Sequence, residues 1–340
     1  MTDELSARLS QAFQRATGAE VRIDELERLS AGASCESWSF VATDQKYQLP
    51  RRMVMRRPPH TDARLKASQL MEEMAPARAI EGELLSALHA AGLPVPPVEL
   101  ILTPADELGA GFVMDWIPGE PMPHRILDKD EYSEARKTLP AELARFRAEM
   151  NHLPELPADH LPVLQPADQL AMFRHHADMM GVENPGIELG LAWLADHLLK
   201  SRPPVLVHGD FRISNFLVTP QGLSAVIDWE LAHLGDPLED LGWLCVRSWR
   251  FSRPDLPAGG LTDRESLLNA YVAAGGVPAS LDELMFWEVL GNIKWSLICL
   301  MQGHRFLQGD DRSIELAAIG RRVEEPIYDL LQLLDGRPGA

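Results

Sequence analysis

Residues 205–242 read VLVHGDFRISNFLVTPQGLSAVIDWELAHLGDPLEDLG, and the polar side chains in this run have the types and spacing that phosphoryl transfer needs. In that reaction the protein forms few covalent bonds. It positions the nucleophile and neutralises charge spreading over the phosphoryl oxygens. Asp210 follows the apolar strand Val205–Val207, and a carboxylate at a strand end can accept a hydroxyl proton. Asn215 comes five residues later, and Asp228 lies beyond a short hairpin, 216–227, that returns it beside the Asp210 loop. Mg2+ takes hard oxygen ligands, usually one or two carboxylates with phosphate and water. Asp228 offers a carboxylate and Asn215 an amide oxygen, so all three side chains can face one point. A metal-dependent hydrolase built on His208, Asp210, Asp228 and His233 fits less well. Zinc sites favour several closely spaced histidines, and Asn215 would then have no role.

The elements that must position these groups follow from periodicity. Leu5, Leu9, Phe13 and Ala16 predict an amphipathic opening helix, capped by Thr2 or Asp3 and ended by Gly18. Strands are expected at Val21–Leu29, Trp38–Val41, Arg52–Arg57, Val98–Leu102 and Gly111–Trp116, with a helix over 76–92 between the third and fourth. The turn-rich joint Ile117–Pro121 marks a boundary, giving domains 1–116 and 117–340. Beyond it, helices are expected near 131–152, 167–180, 187–200, 263–274, 281–306 and 312–334, interrupted by the short strands Val205–Val207, Phe216–Val218 and Ala225–Ile227. The fold class is therefore α+β, a β-rich first lobe and a larger helical second lobe sharing a cleft.

Composition excludes several classes. The 340 residues carry a net charge of −18, which gives no basic face for a nucleic-acid partner. The same acidity leans toward a cationic substrate. Cys35, Cys245 and Cys299 lie far apart, with neither disulfide nor zinc spacing, and read as reduced thiols. The most apolar run, Leu284–Met301, is interrupted by Glu288, Asn292 and Lys294, so a buried helix is expected and no membrane partner. With no signal-like start, a cytoplasmic location is expected.

The D-x-x-x-x-N spacing followed by a strand-borne Asp resembles the protein-kinase arrangement. With His208-Gly209-Asp210 in place of H-R-D and Ile227-Asp228-Trp229 in place of D-F-G, the chain resembles the aminoglycoside phosphotransferase and choline kinase family. FRISNFL, DWELAHLGDPLEDLGWL and WEVLGNIKWSLICLMQ are similar to the branch that includes the kinase-like domains fused to acyl-CoA dehydrogenases. The resemblance implies ATP or GTP as co-substrate, Mg2+, and a small hydroxylated acceptor. It implies Asp210 as base, Asn215 and Asp228 as magnesium ligands, and Arg212 on the γ-phosphate. It also implies that His208 braces the loop and that Asp240 accepts its backbone N–H groups.

The first lobe departs from the pattern. Where a protein kinase carries a strand lysine, this chain has Arg56-Arg57. Alternation puts Val54 against adenine and Arg56 at the α- and β-phosphates, with Arg57 pointing outward. Glu83 is the expected ionic partner of Arg56, with Glu81 the alternative. Gly32 and Ser34 stand where a loop would cover the phosphates, and Met114, Asp115 and Trp116 where backbone would bond the purine. Glu230, Trp287, Glu288, Lys294 and Trp295 are candidates for the acceptor pocket. The missing lysine and the single glycine at 30–34 also leave open a catalytically silent nucleotide-binding regulator.

Overall fold

Residues 2–29, 35–44, 49–57, 80–153, 156–309 and 313–336 are described in the computed structural model of the chain. Helix α1 (Thr2–Thr17) buries Leu5, Leu9, Ala12 and Phe13, which recur at three- and four-residue spacings. They pack in one core with Trp38, Phe40, Met53, Met55 and Val113 of an antiparallel sheet. That sheet comprises β1 (Val21–Leu29), β2 (Glu36–Asp44), β3 (Pro50–Arg57), β4 (Val98–Leu102) and β5 (Gly111–Asp115), in the order β1-β2-β3-β5-β4. Side chains alternate across a strand. Met53 and Met55 therefore join the core under α1, while Val54 joins a second core with Leu84, Leu85 and Leu88 of α2 (Glu81–Ala90). Register sets Val54 opposite Met114 and Arg56 opposite Phe112. Arg57, on the α1 side, is not solvated as expected. It is buried and pairs with Glu36 at 3.2 Å, because β2 and β3 bring both charges under the same cover.

The helical lobe runs through α3 (Pro123–Asp128), α4 (Ser133–Glu149), β6 (Val163–Leu164), α5 (Pro166–Met179), α6 (Pro185–Asp196) and β7 (Val205–Val207). It continues with β8 (Phe216–Thr219), β9 (Gly222–Val226), β10 (His233–Gly235), α7 (Glu239–Cys245), α8 (Arg264–Ala273), α9 (Leu281–Gln308), α10 (Ile314–Gly320) and α11 (Glu324–Leu334). The joint is stitched to β8 by paired bonds: Glu120 N–H donates to Val218 at 2.8 Å, and Val218 N–H donates back at 3.1 Å. Helix α9 is long and apolar enough to span a bilayer, yet Leu284, Val289, Ile293 and Leu297 on it are fully buried in the lobe. Ser280 accepts from Glu283 N–H at its start, and Gly309 closes it in the left-handed region at φ 80°.

Two expectations change. The helix drawn over 312–334 is two helices, because Pro326 has no N–H and fits only the first turn of α11. The described part of the 76–92 helix begins at Glu81; residues 76–79 lie outside the described residues. Strands β6 and β10 were not expected. They belong to a small sheet, β6-β10-β7, whose pairing is non-local.

Helices α7 and α9 touch almost backbone to backbone: a Cβ on Gly242 would lie 2.3 Å from the Trp287 Cβ. Gly242→Ala should therefore destabilise the protein by about 1–3 kcal/mol through forced separation of these helices. Urea unfolding measures this, and an unchanged midpoint would refute the tight contact.

Candidate active site

The loop after β7 is held before its carboxylate does anything. Gly209 sits at φ 80°, and a Cβ there would meet the Leu231 carbonyl at 2.3 Å, so glycine is required. Asp240 on α7 accepts from His208 N–H and Gly209 N–H, each at 3.0 Å. Arg147 Nε lies 3.2 Å from the same carboxylate, and both side chains have zero exposure. On the other side, Lys294 Nζ donates to the Gly209 carbonyl at 2.6 Å. His208 accepts from Asp210 N–H at Nδ1 (3.1 Å), so its Nε2–H is left to donate to the Ile227 carbonyl at 3.0 Å. Burial pushes the His208 pKa below its usual value against the pull of Asp240 and Asp210, which suits this neutral tautomer.

Asp210 emerges with three donors on it. Oδ1 accepts from Arg212 Nε at 2.8 Å and Trp243 Nε1 at 2.9 Å; Oδ2 accepts from Asn215 Nδ2 at 2.7 Å. Asn215 Nδ2 also donates to the Asp210 carbonyl at 2.8 Å. The amide nitrogen is thus engaged, while Asn215 Oδ1 accepts no hydrogen bond among the described residues. The β8–β9 hairpin returns with Ile227 N–H on the Asn215 carbonyl at 3.0 Å, which sets Asp228 next to the loop. Asp228 adopts φ 68°, a left-handed conformation that Asp tolerates better than most residues.

Across the cleft, Arg56 Nη2 bonds Asp228 Oδ1 and Nη1 bonds Glu81 Oε1, both at 2.9 Å. Glu81 also accepts from Trp229 N–H at 3.1 Å. The partner of Arg56 is therefore Glu81, not Glu83. Glu81 opens α2 on its buried face, and two residues on, about 200° around the helix, Glu83 faces solvent. Burial would raise the Asp228 pKa, but Arg56, by charge and hydrogen bond, with Arg212 and His208 assisting, holds it below the usual carboxylate range. Glu81 goes the other way. Burial, with Asp228 and Glu230 nearby, pushes it up to about 7 against the pull of Arg56.

The remaining candidates divide. Val54 and Met114 are buried on the cleft side of the sheet. Asp115 N–H donates to Pro97 (2.9 Å) and Trp116 N–H to Arg52 (3.0 Å), so these two donors are engaged within the protein. The next N–H, Ile117, makes no hydrogen bond among the described residues. Gly32 and Ser34 lie outside the described residues. Glu230 is buried, 3.9 Å from the Cys35 thiol. Trp287 and Glu288 are core groups rather than pocket walls: Trp287 packs under Gly242, and Glu288 is paired with Arg250 (2.9 Å) and Arg264 (2.7 Å). Lys294 serves the catalytic-type loop instead of lining a pocket. Trp295 is partly exposed and packs at a tilt on Trp249, which in turn packs on Trp243, with Arg212 lying 4.7 Å over the Trp249 ring. Trp243 was missed by sequence reasoning. Its signal was the i, i+3 spacing from Asp240, which places both side chains on the helix face toward the loop.

A β-rich lobe over a helical lobe, with the Asp210–Asn215 loop and Asp228 at their junction, defines the two-lobed protein-kinase-like class. The chain belongs to the phosphotransferase enzyme family, whose model matches residues 25–284. It is 27% identical over 277 residues to acyl-CoA dehydrogenase family member 10 of Mus musculus, an alignment covering 73% of this chain and 25% of that protein. The chain thus spans about a quarter of the length of that relative. A Ralstonia eutropha structure classed as an aminoglycoside phosphotransferase shares the fold at a TM-score of 0.71 and 20% identity, covering 99% of this chain and 98% of that one. A choline/ethanolamine kinase family protein from Mesorhizobium loti does so at 0.58 and 20%, covering 98% and 94%.

The raised Glu81 pKa has a signed consequence. Between the ordinary 4.5 and about 7 the folded protein holds a proton that the unfolded chain has lost. The stabilisation is complete below pH 4.5 and fades as pH rises through 7. Glu81→Gln removes this titration. Denaturant unfolding across that range should show the wild type losing stability relative to the variant, by at most about 1.4 kcal/mol per pH unit; parallel profiles would contradict it.

Proposed function

We propose that the chain moves the γ-phosphoryl group of ATP to a hydroxyl of a small molecule, with Asp210 as base. The observation that carries this reading is the orientation of Asn215. Its amide NH2 is committed to Asp210, which leaves Oδ1 as a hard oxygen on the loop to which the hairpin returns the ionised Asp228. An amide oxygen and a carboxylate at one point suit Mg2+, and Asp228 and Asn215 are the residues that would hold it. When bound, the ion would neutralise charge on the transferring phosphoryl group. Asp210 accepts the proton of the acceptor hydroxyl as its oxygen bonds to phosphorus and the bond to the β-phosphate oxygen of ATP breaks. Arg212 and Arg56 supply fixed positive charge near the phosphates; a guanidinium matches phosphate oxygens with two donors where lysine offers a point charge. The purine would meet the joint at Ile117 N–H, since the N–H groups of Asp115 and Trp116 are engaged. The aromatic cluster of Trp243, Trp249 and Trp295 supports an acceptor site on the Asp210 side, for a small hydroxylated compound.

A second reading, a nucleotide-binding regulator without turnover, draws on the Arg56–Asp228 bond, since Arg56 occupies a carboxylate that a metal would need. One pair of measurements separates the two. ATP at about 100-fold over its dissociation constant should add roughly 2.7 kcal/mol to stability, only with magnesium present. Asp210→Asn should keep that thermal shift and lose phosphate transfer by at least about 100-fold. A shift without any transfer by the wild type selects the regulator; no shift with ATP or GTP overturns both.

A further inference from the structure

Of the three donors on the Asp210 carboxylate, the indole of Trp243 comes from a helix that no local motif ties to it. Trp243 is 3% exposed, with Trp249 on its ring at 5.1 Å between centroids and Lys294 Nζ 4.7 Å over its face. Packing alone does not explain its one polar atom. The neighbouring Trp249 and Trp295 leave their indole nitrogens without a hydrogen-bond partner among the described residues, whereas Trp243 Nε1 lies 2.9 Å from Asp210 Oδ1.

A carboxylate has about four acceptor sites, two on each oxygen. Arg212 Nε and Trp243 Nε1 fill both sites of Oδ1, and Asn215 Nδ2 fills one of Oδ2. A single site on Oδ2 is left. We propose that Trp243 is a positioning residue whose N–H, with Arg212, saturates Oδ1 and so assigns Oδ2 as the oxygen that takes the hydroxyl proton. Lys294 supports the same geometry twice, holding the Gly209 carbonyl and capping the indole face, so α7 and α9 fix the loop and the ring together. This rests on the reading of Asp210 as base.

The test compares wild type, Trp243→Phe and a protein carrying benzothienylalanine at 243, which keeps the bicyclic shape and replaces N–H with sulfur. The probe reaction is magnesium-dependent ATP turnover with water as acceptor, so no acceptor need be known. Both replacements should lower kcat by about ten-fold or more while KM for ATP stays within about two-fold, since the lost interaction acts on the base and not on nucleotide binding. Should the phenylalanine variant fail to fold, the benzothienyl protein carries the comparison alone. In parallel, the indole 1H–15N signal missing from Trp243→Phe is followed in Asp210→Asn, where loss of the charged acceptor should move it. A benzothienyl protein with wild-type kcat, or an indole signal unmoved in Asp210→Asn, would overturn the proposal and leave the phosphotransferase reading standing. A wild type without ATP turnover would overturn that reading and the catalytic half of this one, while the indole signal would still judge the contact.

Discussion

Taking the Asp240 carboxylate out of water costs several kcal/mol unless other groups replace its hydration. Here the replacements are the N–H groups of His208 and Gly209 and the guanidinium of Arg147, all buried. From its place on α7, Asp240 thus joins two other parts of the helical lobe, the loop after β7 and helix α4. The requirement to satisfy one buried charge therefore fixes where the Asp210 loop sits. Lys294 adds a hold on the Gly209 carbonyl from α9, so the loop is gripped at donor and acceptor alike. A site built this way has little freedom to reorganise, which is what a positioned base requires.

The first lobe is tied to this platform by a shared apolar core, in which Val54, Leu84 and Met114 join Val226 and Trp229, and by charge. Arg56 spans the cleft between Glu81 on α2 and Asp228 on the returning hairpin, and Glu81 in turn receives Trp229 N–H. Burial raises Glu81 while Arg56 lowers Asp228, so two carboxylates on the same guanidinium have unlike proton affinities. The difference follows from the charges around each: Glu81 has the carboxylates of Asp228 and Glu230 nearby, whereas Asp228 also has Arg212 and His208 and a hydrogen bond from Arg56.

How much of this was legible depends on sequence distance. The contact of Asp210 with Asn215 is made within one turn, and a hairpin of a dozen residues brings Asp228 back; such relations follow from spacing. Strand alternation likewise separated Val54 and Arg56 from Met53 and Met55. What spacing could not reach was the choice among chemically equal candidates at long range. Glu81 and Glu83 differ only in which face of α2 meets the cleft, and Glu288 looked like a pocket acid until Arg250 and Arg264 were seen to neutralise it. Arg57 was misread for the same reason, since its partner Glu36 lies on another strand. Trp243 and Lys294 reach the loop from helices 33 and 85 residues away from their partners; only the spacing of Trp243 from Asp240 hinted at the first, and nothing local announced the second.

Asp228 illustrates how two independent filters can converge on one residue type. The left-handed backbone at φ 68° admits glycine freely and asparagine or aspartate with modest penalty, and is hostile to nearly all others. The guanidinium of Arg56 asks for a negative charge. Glycine and asparagine pass the first filter and fail the second; glutamate passes the second but meets the first at a higher cost than aspartate. Among residue types, aspartate therefore meets both demands at the least cost while the hairpin and Arg56 stay as they are.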